Sequence, residues 1–489
     1  MTRRGVVAAG HPESAAAGAT VLRAGGNAVD AAVAAVLASF VAEPLLSGLG
    51  SGGYLLVAPP GGEAVLLDFF VETPGRGRDP ADRAPLDAVT VDFGDATQVF
   101  HVGGASCGTY GTPAGLAAAV AEFGRAPLTE LVAPAVGLAR GGVQVTPMQA
   151  YLYALLGEIN AATPAGRARY LPAGQPPRTG DVVTDPELAD ALERFGAEGA
   201  APFYTGDVAA AVVEEVRAHG GLLGPDDLAA YEVVRRDPVH VPYRDVVVCT
   251  NPPPSAGGVL VGRALAELAR TPGPPDVAAL LAAMAAAEDE RTPEFLAGLS
   301  DAAYASANRL GSTTHVSVLD ADGWACAVTT SNGEGSGVVV PGTGVHVNNV
   351  LGEEDLSPLG FHTQPPGYRL PSMMAPTVVL HDTAARLVVG SAGSNRIRSA
   401  LLQVIVNVVD RGLAAQDAVD APRVHFTPES VFAEPGIPAD ELAASGLPVT
   451  LFRSPNLYFG GCQAVACDPV TGTLTGGADP RRGGAVAVA

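Results

Sequence analysis

Residues 313–331, TTHVSVLDADGWACAVTTS, admit few structures. Two runs of alternating β-branched and small residues flank Asp320-Ala321-Asp322-Gly323, and the glycine supplies the left-handed residue that closes a hairpin loop with a bulge. Thr314, Val316 and Val318 then share one face of the first strand, and Thr313, His315, Ser317 and Leu319 the other. Asp320 faces Trp324, and keeping that register puts Ser331 opposite Thr313. The strand therefore starts with a hydroxyl, meets another across the ladder, and follows the small, permissive pair Gly311-Ser312.

Threonines favour strands and pair across them, so two facing hydroxyls are ordinary scaffold in most sheets. A threonine is a weak nucleophile unless a base takes its proton, and no histidine with an orienting carboxylate lies nearby in sequence. Cleavage of the 312–313 peptide bond changes that. It would give Thr313 a free α-amino group with a pKa of about 7.7–8.0, so that the nucleophile would carry its own base.

Other classes are excluded by what the chain lacks. Among 489 residues there is no lysine, which removes a Schiff base and a P-loop lysine. Acidic residues outnumber basic ones 51 to 29, for a formal charge of -22, the wrong sign for tracking phosphates or anionic membranes. The five cysteines are scattered without CxxC spacing and read as reduced core thiols. The nine histidines never approach metal-ligand spacing, so neither a metal nor a cofactor is expected. The apolar run after the two amino-terminal arginines is too short for a signal peptide, and a cytoplasmic location is expected.

Along the chain, a helix is expected from Pro12 to Arg23, and a second, Ala-rich one after Asn27. SGLGSGGYLLV (47–57) is a glycine loop running into a strand. A dinucleotide fingerprint needs glycines after a strand and opening a helix, so a nucleotide site is rejected. Helices dominate 113–141 and 186–219, the Pro- and Ala-rich stretch 271–312 reads as a linker, and strands dominate from 313. Helix-rich then strand-rich halves predict a layered α+β fold with a sheet sandwich between helices.

TTHVSVLDADG resembles the start of the small subunit in the γ-glutamyltranspeptidase family, whose precursors cleave themselves before the first threonine. GHPESAAAGATVLRAGGNAVDAAVAA, EPLLSGLGSGGYLLV, NPPPSAGG, LPSMMAPT, GSAGSNRIRSALLQ and GGADPRR are similar to family blocks and stand in family order. The resemblance implies a four-layer αββα sandwich of the N-terminal-nucleophile hydrolase type, a large subunit of 1–312 and a small subunit of 313–489. It implies cleavage between Ser312 and Thr313, Thr313 as nucleophile, Ser331 as its hydrogen-bonding partner, and Gly393-Ser394 as the backbone oxyanion hole.

Substrate positions depart further from the family. The family arginine for the glutamyl α-carboxylate falls at Phe70, which forfeits a bidentate charge-assisted contact; Arg76 and Arg78 are the nearby alternatives. Ser372 is kept, but its serine neighbour is Met373. The amine-binding acid falls at Glu353, and the family asparagine falls at Gly333, with Asn332 beside it. The implied activity is acyl transfer from a γ-glutamyl amide to water or an amine, within glutathione metabolism, in a heterodimer that could pair again. Two alternatives stay open. One is an acylase acting on a glutaryl or β-lactam side chain, favoured by Phe70, Val350 and Met373. The other is an uncleaved binding protein. GASCG (104–108) fits the pattern of a nucleophile elbow at Ser106, but an elbow needs a helix starting at that serine, and TYGTP delays any helix past Pro113.

Overall fold

The computed structural model describes residues 4–92, 97–290, 313–356, 360–443 and 445–489. Ser312, the carbonyl side of the expected cut, lies outside the described residues, as does 291–312 as a whole. Two antiparallel sheets carry the core. In chain order their strands are β1 (Gly5–Ala9), β2 (Gly52–Ala58), β3 (Val65–Phe69), β4 (Val234–Arg236), β5 (Val239–Tyr243), β6 (Val246–Thr250), β7 (Thr314–Asp320), β8 (Ala325–Ser331), β9 (Thr377–His381), β10 (Ala384–Ala392), β11 (Gly461–Cys467), β12 (Leu474–Ala478) and β13 (Ala485–Val488). The first sheet runs β13-β1-β7-β8-β2-β3-β4 and the second β12-β11-β10-β9-β6-β5. Strands from before and after position 312 stand side by side in both.

Helices α1 (Pro12–Ala24) and α2 (Ala28–Ala42) cover the outer face of the first sheet, and α3 (Ala256–Leu268), α4 (Val277–Asp289) and α5 (Arg396–Val409) lie outside the second. The molecule is α+β with four layers, αββα. Local sequence explains the first two helices. The His11 ring accepts from the Glu13 N–H, Gly25 ends α1 at φ 104°, and Asn27 with Asp30 forms a capping box at the start of α2. Every residue of α2 is buried, which its alanines permit by letting backbone approach the sheet.

The expected hairpin is present in the expected register. Thr314 pairs with Thr330 and Leu319 with Ala325, while Gly323 at φ 90° donates to the Asp320 carbonyl at 3.1 Å. One expectation is corrected. Residues 277–289 of the expected linker form the helix α4, because VAALLAAMAAAED places Leu280, Leu281, Met284 and Ala287 on a buried face against α3. Proline-rich flanks at 272–275 hid that periodicity. No helix among the described residues is long and apolar enough to cross a membrane.

Candidate active site

Thr313 stands at the head of β7 and is 6% exposed. Continuing the β7–β8 register sets it beside Ser331, which pairs with Gly52 of β2, and continuing β2–β3 sets Gly52 beside Phe70. Thr313, Ser331, Gly52 and Phe70 thus form one row across the first sheet. At a strand spacing of about 4.8 Å, Phe70 lies three strands, about 14 Å, from Thr313.

The row faces the second sheet, and the row beneath it explains the histidine in the motif. His315 Nδ1 bonds the Thr329 hydroxyl at 2.8 Å and Nε2 the Ser317 hydroxyl at 2.9 Å. Ser317 in turn donates to the Gln463 carbonyl of β11 at 3.0 Å. Burial lowers the His315 pKa to about 3, so the ring is neutral, one nitrogen donating and the other accepting. The ring also fixes the approach of the second sheet. A Cβ on Gly390 would lie 2.1 Å from His315 Cε1, so only glycine fits where β10 passes over β7.

Three residues past Gly390 the chain turns sharply into α5. Gly393 has φ 119° and Ser394 φ 51°, the left-handed region, and their carbonyls accept from Arg396 and Ile397 as the helix begins. Ser372 and Met373 lie in the loop before β9, where Ser372 bridges Ser255. Their loop is braced from NPPPSAGG: Ser255 Oγ donates to the carbonyls of Ser372 and Met374, and Asn251 Nδ2 donates to Met374. Ser372 Oγ itself accepts from the Met374 N–H at 3.0 Å.

On the hairpin side, Ser331 Oγ accepts from the Gly333 N–H at 3.0 Å. A Cβ on Gly333 would lie 2.0 Å from Asn349 Oδ1 and 2.8 Å from Glu353 Oε1, and the residue has φ 62°. The missing family asparagine therefore has a steric reason, and Glu353 stands against Gly333, the second residue past Ser331. Asn332, beside it, is buried with its Oδ1 unpartnered. Its amide nitrogen donates to the His346 carbonyl, pinning the next loop.

Phe70 is 1% exposed and stacks on Tyr54, ring centroids 5.4 Å apart. Neither nearby arginine replaces the family's. Arg76 pairs with Glu72 and Asp227, and Arg78 with Asp82. Arg369 reaches Phe70, but through the backbone: its guanidinium donates to the Phe70 carbonyl, Tyr231 Oη, Glu72 and the Glu232 carbonyl. The helix delay expected after Ser106 is present: the serine ends a short 3₁₀ turn and donates to the Gly103 carbonyl, and the next helix starts at Thr112.

Sequence reasoning missed Glu43. This carboxylate, 2% exposed, accepts from Thr314 Oγ1 at 3.0 Å, and the only sign of it in the sequence is an acid just past the end of an Ala-rich helix.

Two facing sheets between helices, with a buried threonine heading a central strand, are the architecture of N-terminal-nucleophile hydrolases and transferases, and this chain is an enzyme of that class. A family model described as gamma-glutamyltranspeptidase matches residues 14–293 and 281–489. The chain belongs to the γ-glutamyltranspeptidase family. It is 34% identical to the acylase ACY 1 proenzyme of Pseudomonas sp. (strain SE83), over 97% of this chain and 92% of that one. It is 32% identical to the glutathione hydrolase proenzyme of Escherichia coli (strain K12), over 98% and 90%. The crystal structure of cephalosporin acylase from Bacillus halodurans superposes with a TM-score of 0.82 at 28% identity, covering 99% of this chain and 96% of that one.

Proposed function

We propose that the protein cleaves itself before Thr313 and then acts as an amidase or acyltransferase through that residue. The observation that carries this reading is a buried Thr313 at the head of a central strand whose register continues to Ser331. In maturation Thr313 Oγ1 attacks the Ser312 carbonyl carbon, the C–N bond breaks, and water hydrolyses the resulting ester, leaving a free α-amino group. In turnover that amine takes the Oγ1 proton as Oγ1 attacks the substrate amide, then hands it to the leaving amine. Water or an acceptor amine releases the acyl group. Ser331 orients Oγ1, and backbone N–H groups at Gly393-Ser394 hold the oxyanion, a contribution of about 2.7–4 kcal/mol per donor. Glu353 and Ser372 face the acyl donor.

The relatives named above include both glutathione hydrolase and acylase proenzymes, and Phe70 favours the acylase branch. Position 70 offers an α-carboxylate no guanidinium, its phenyl ring being buried against Tyr54. The preferred donor is therefore an amide whose acyl group lacks the amino-acid head. Intact mass and amino-terminal sequencing test the first step, with two polypeptides expected, one beginning TTHVSVL. Comparison of γ-glutamyl, glutaryl and phenylacetyl p-nitroanilides tests the second, and a preference for the γ-glutamyl compound overturns the acylase assignment.

A further inference from the structure

Glu43 directly follows α2, and its side chain sits beneath the strand headed by Thr313. The location is unfavourable twice over. The carboxylate is shut off from water, and it lies at the C-terminal end of a helix, where the dipole favours cations. Neighbouring backbone leaves space for it: a Cβ on Gly10, just past β1, would lie 2.1 Å from Oε1. Arg482, after β12, acts on it through charge, and Arg482 Nη2 would be 3.4 Å from a Cβ on Gly393. Glu43 thus touches the residue after the nucleophile on one side and feels, on the other, an arginine packed against the Gly393 turn.

We propose that Glu43 is a positioning residue for Thr313, acting through the Thr314 hydroxyl, and that its charge state sets part of the pH dependence of the reaction. The proposal rests on the reading of Thr313 as nucleophile. As a carboxylate, Glu43 accepts from Thr314, fixing that side chain and the direction of the 313–314 peptide, from which the α-amino group and Oγ1 project. As a carboxylic acid it keeps an acceptor oxygen but loses its charge, so the Thr314 bond falls from charge-assisted to neutral and the clamp loosens. Burial raises the Glu43 pKa to about 7, against the lowering effects of the Thr314 bond and Arg482, so the exchange falls within the working range. The other charged or titratable groups from the packed elements are Arg482, His11 next to Gly10, and His315 on the opposite face of β7. Burial lowers Arg482 to about 10, His11 to about 4 and His315 to about 3, so none of them changes charge between pH 5 and 9.

The test is the pH profile of the mature enzyme, from about pH 5 to 9, on whichever p-nitroanilide of the three reacts fastest. Wild type is expected to lose kcat/KM on the acid side through two ionisations, the α-amine and Glu43. Glu43→Gln keeps the shape and the acceptor oxygen but cannot titrate, so its acid limb should show one ionisation, with kcat about tenfold lower and KM within about twofold. Thr314→Val should behave alike and Thr314→Ser should restore the wild-type profile. If Glu43→Gln does not fold, the two Thr314 variants make the same comparison. A two-ionisation limb with wild-type kcat in Glu43→Gln or Thr314→Val overturns the proposal while a dead Thr313→Ala control leaves the nucleophile standing. Wild-type turnover in Thr313→Ala overturns both.

Discussion

The two faces of the β7–β8 hairpin are equally buried and built on opposite principles. Toward α1 and α2, beyond the Thr314–Thr330 pair at the end of the hairpin, lie Val316, Val318, Cys326 and Val328, an apolar layer whose members need only fit in volume. Toward the second sheet lie Thr313, His315, Ser317, Thr329 and Ser331, all under 7% exposed. A buried polar layer costs more to build, because every hydroxyl and ring nitrogen needs a partner. The difference shows where this fold tolerates change: a volume error on one face is local, whereas one missing partner on the other strands its neighbours.

Four substitutions test that contrast. Thr313→Ala should leave a folded, uncleaved chain with activity reduced at least about 10⁴-fold, read by gel and by anilide turnover; near wild-type turnover would reduce the polar face to packing. His315→Leu should cost about 2–4 kcal/mol in denaturant unfolding at pH 7, since Thr329 and Ser317 each lose a partner. The same variant should flatten the acid dependence of stability. Folding holds His315 neutral, so the unfolded chain binds a proton the native one refuses as pH falls from about 6.5 toward 3. Stability present above pH 6.5 is lost on that descent at about 1.4 kcal/mol per unit for this residue, and the leucine variant should lack that slope. Val318→Ala, on the apolar face, should cost about 2 kcal/mol with activity unchanged; a loss of turnover as large as for His315→Leu would erase the distinction between faces. Smallest, Ser394→Gly should raise stability by about 1 kcal/mol at undiminished activity, because φ 51° strains a serine but not a glycine.

The hairpin was legible because alternation, the Asp-Ala-Asp-Gly turn and burial all specify one register. Glu353 was found through the family blocks, and its proximity to Gly333 explains why that position cannot carry the family side chain. What stayed illegible depends on distance in sequence. The Gly390 contact with His315 spans 75 positions, and the Glu43 bond to Thr314 spans 271, with no periodicity to announce either. Arg76 stood as an alternative to the family arginine until its carboxylate partner, Asp227, proved to sit 151 residues away. Local rules give faces and turns; the pairing of buried charges is settled only when the layers meet.

The order of strands in the two sheets carries a last consequence. If the chain is cut before Thr313, β1 of one piece is held between β13 and β7 of the other, β8 still pairs with β2, and β9 with β6. The pieces are woven rather than docked. Neither can leave as a rigid body, so dilution has no complex to dissociate, and one piece departs only when both sheets come apart. The working lifetime of such an enzyme is an unfolding rate, not a dissociation constant.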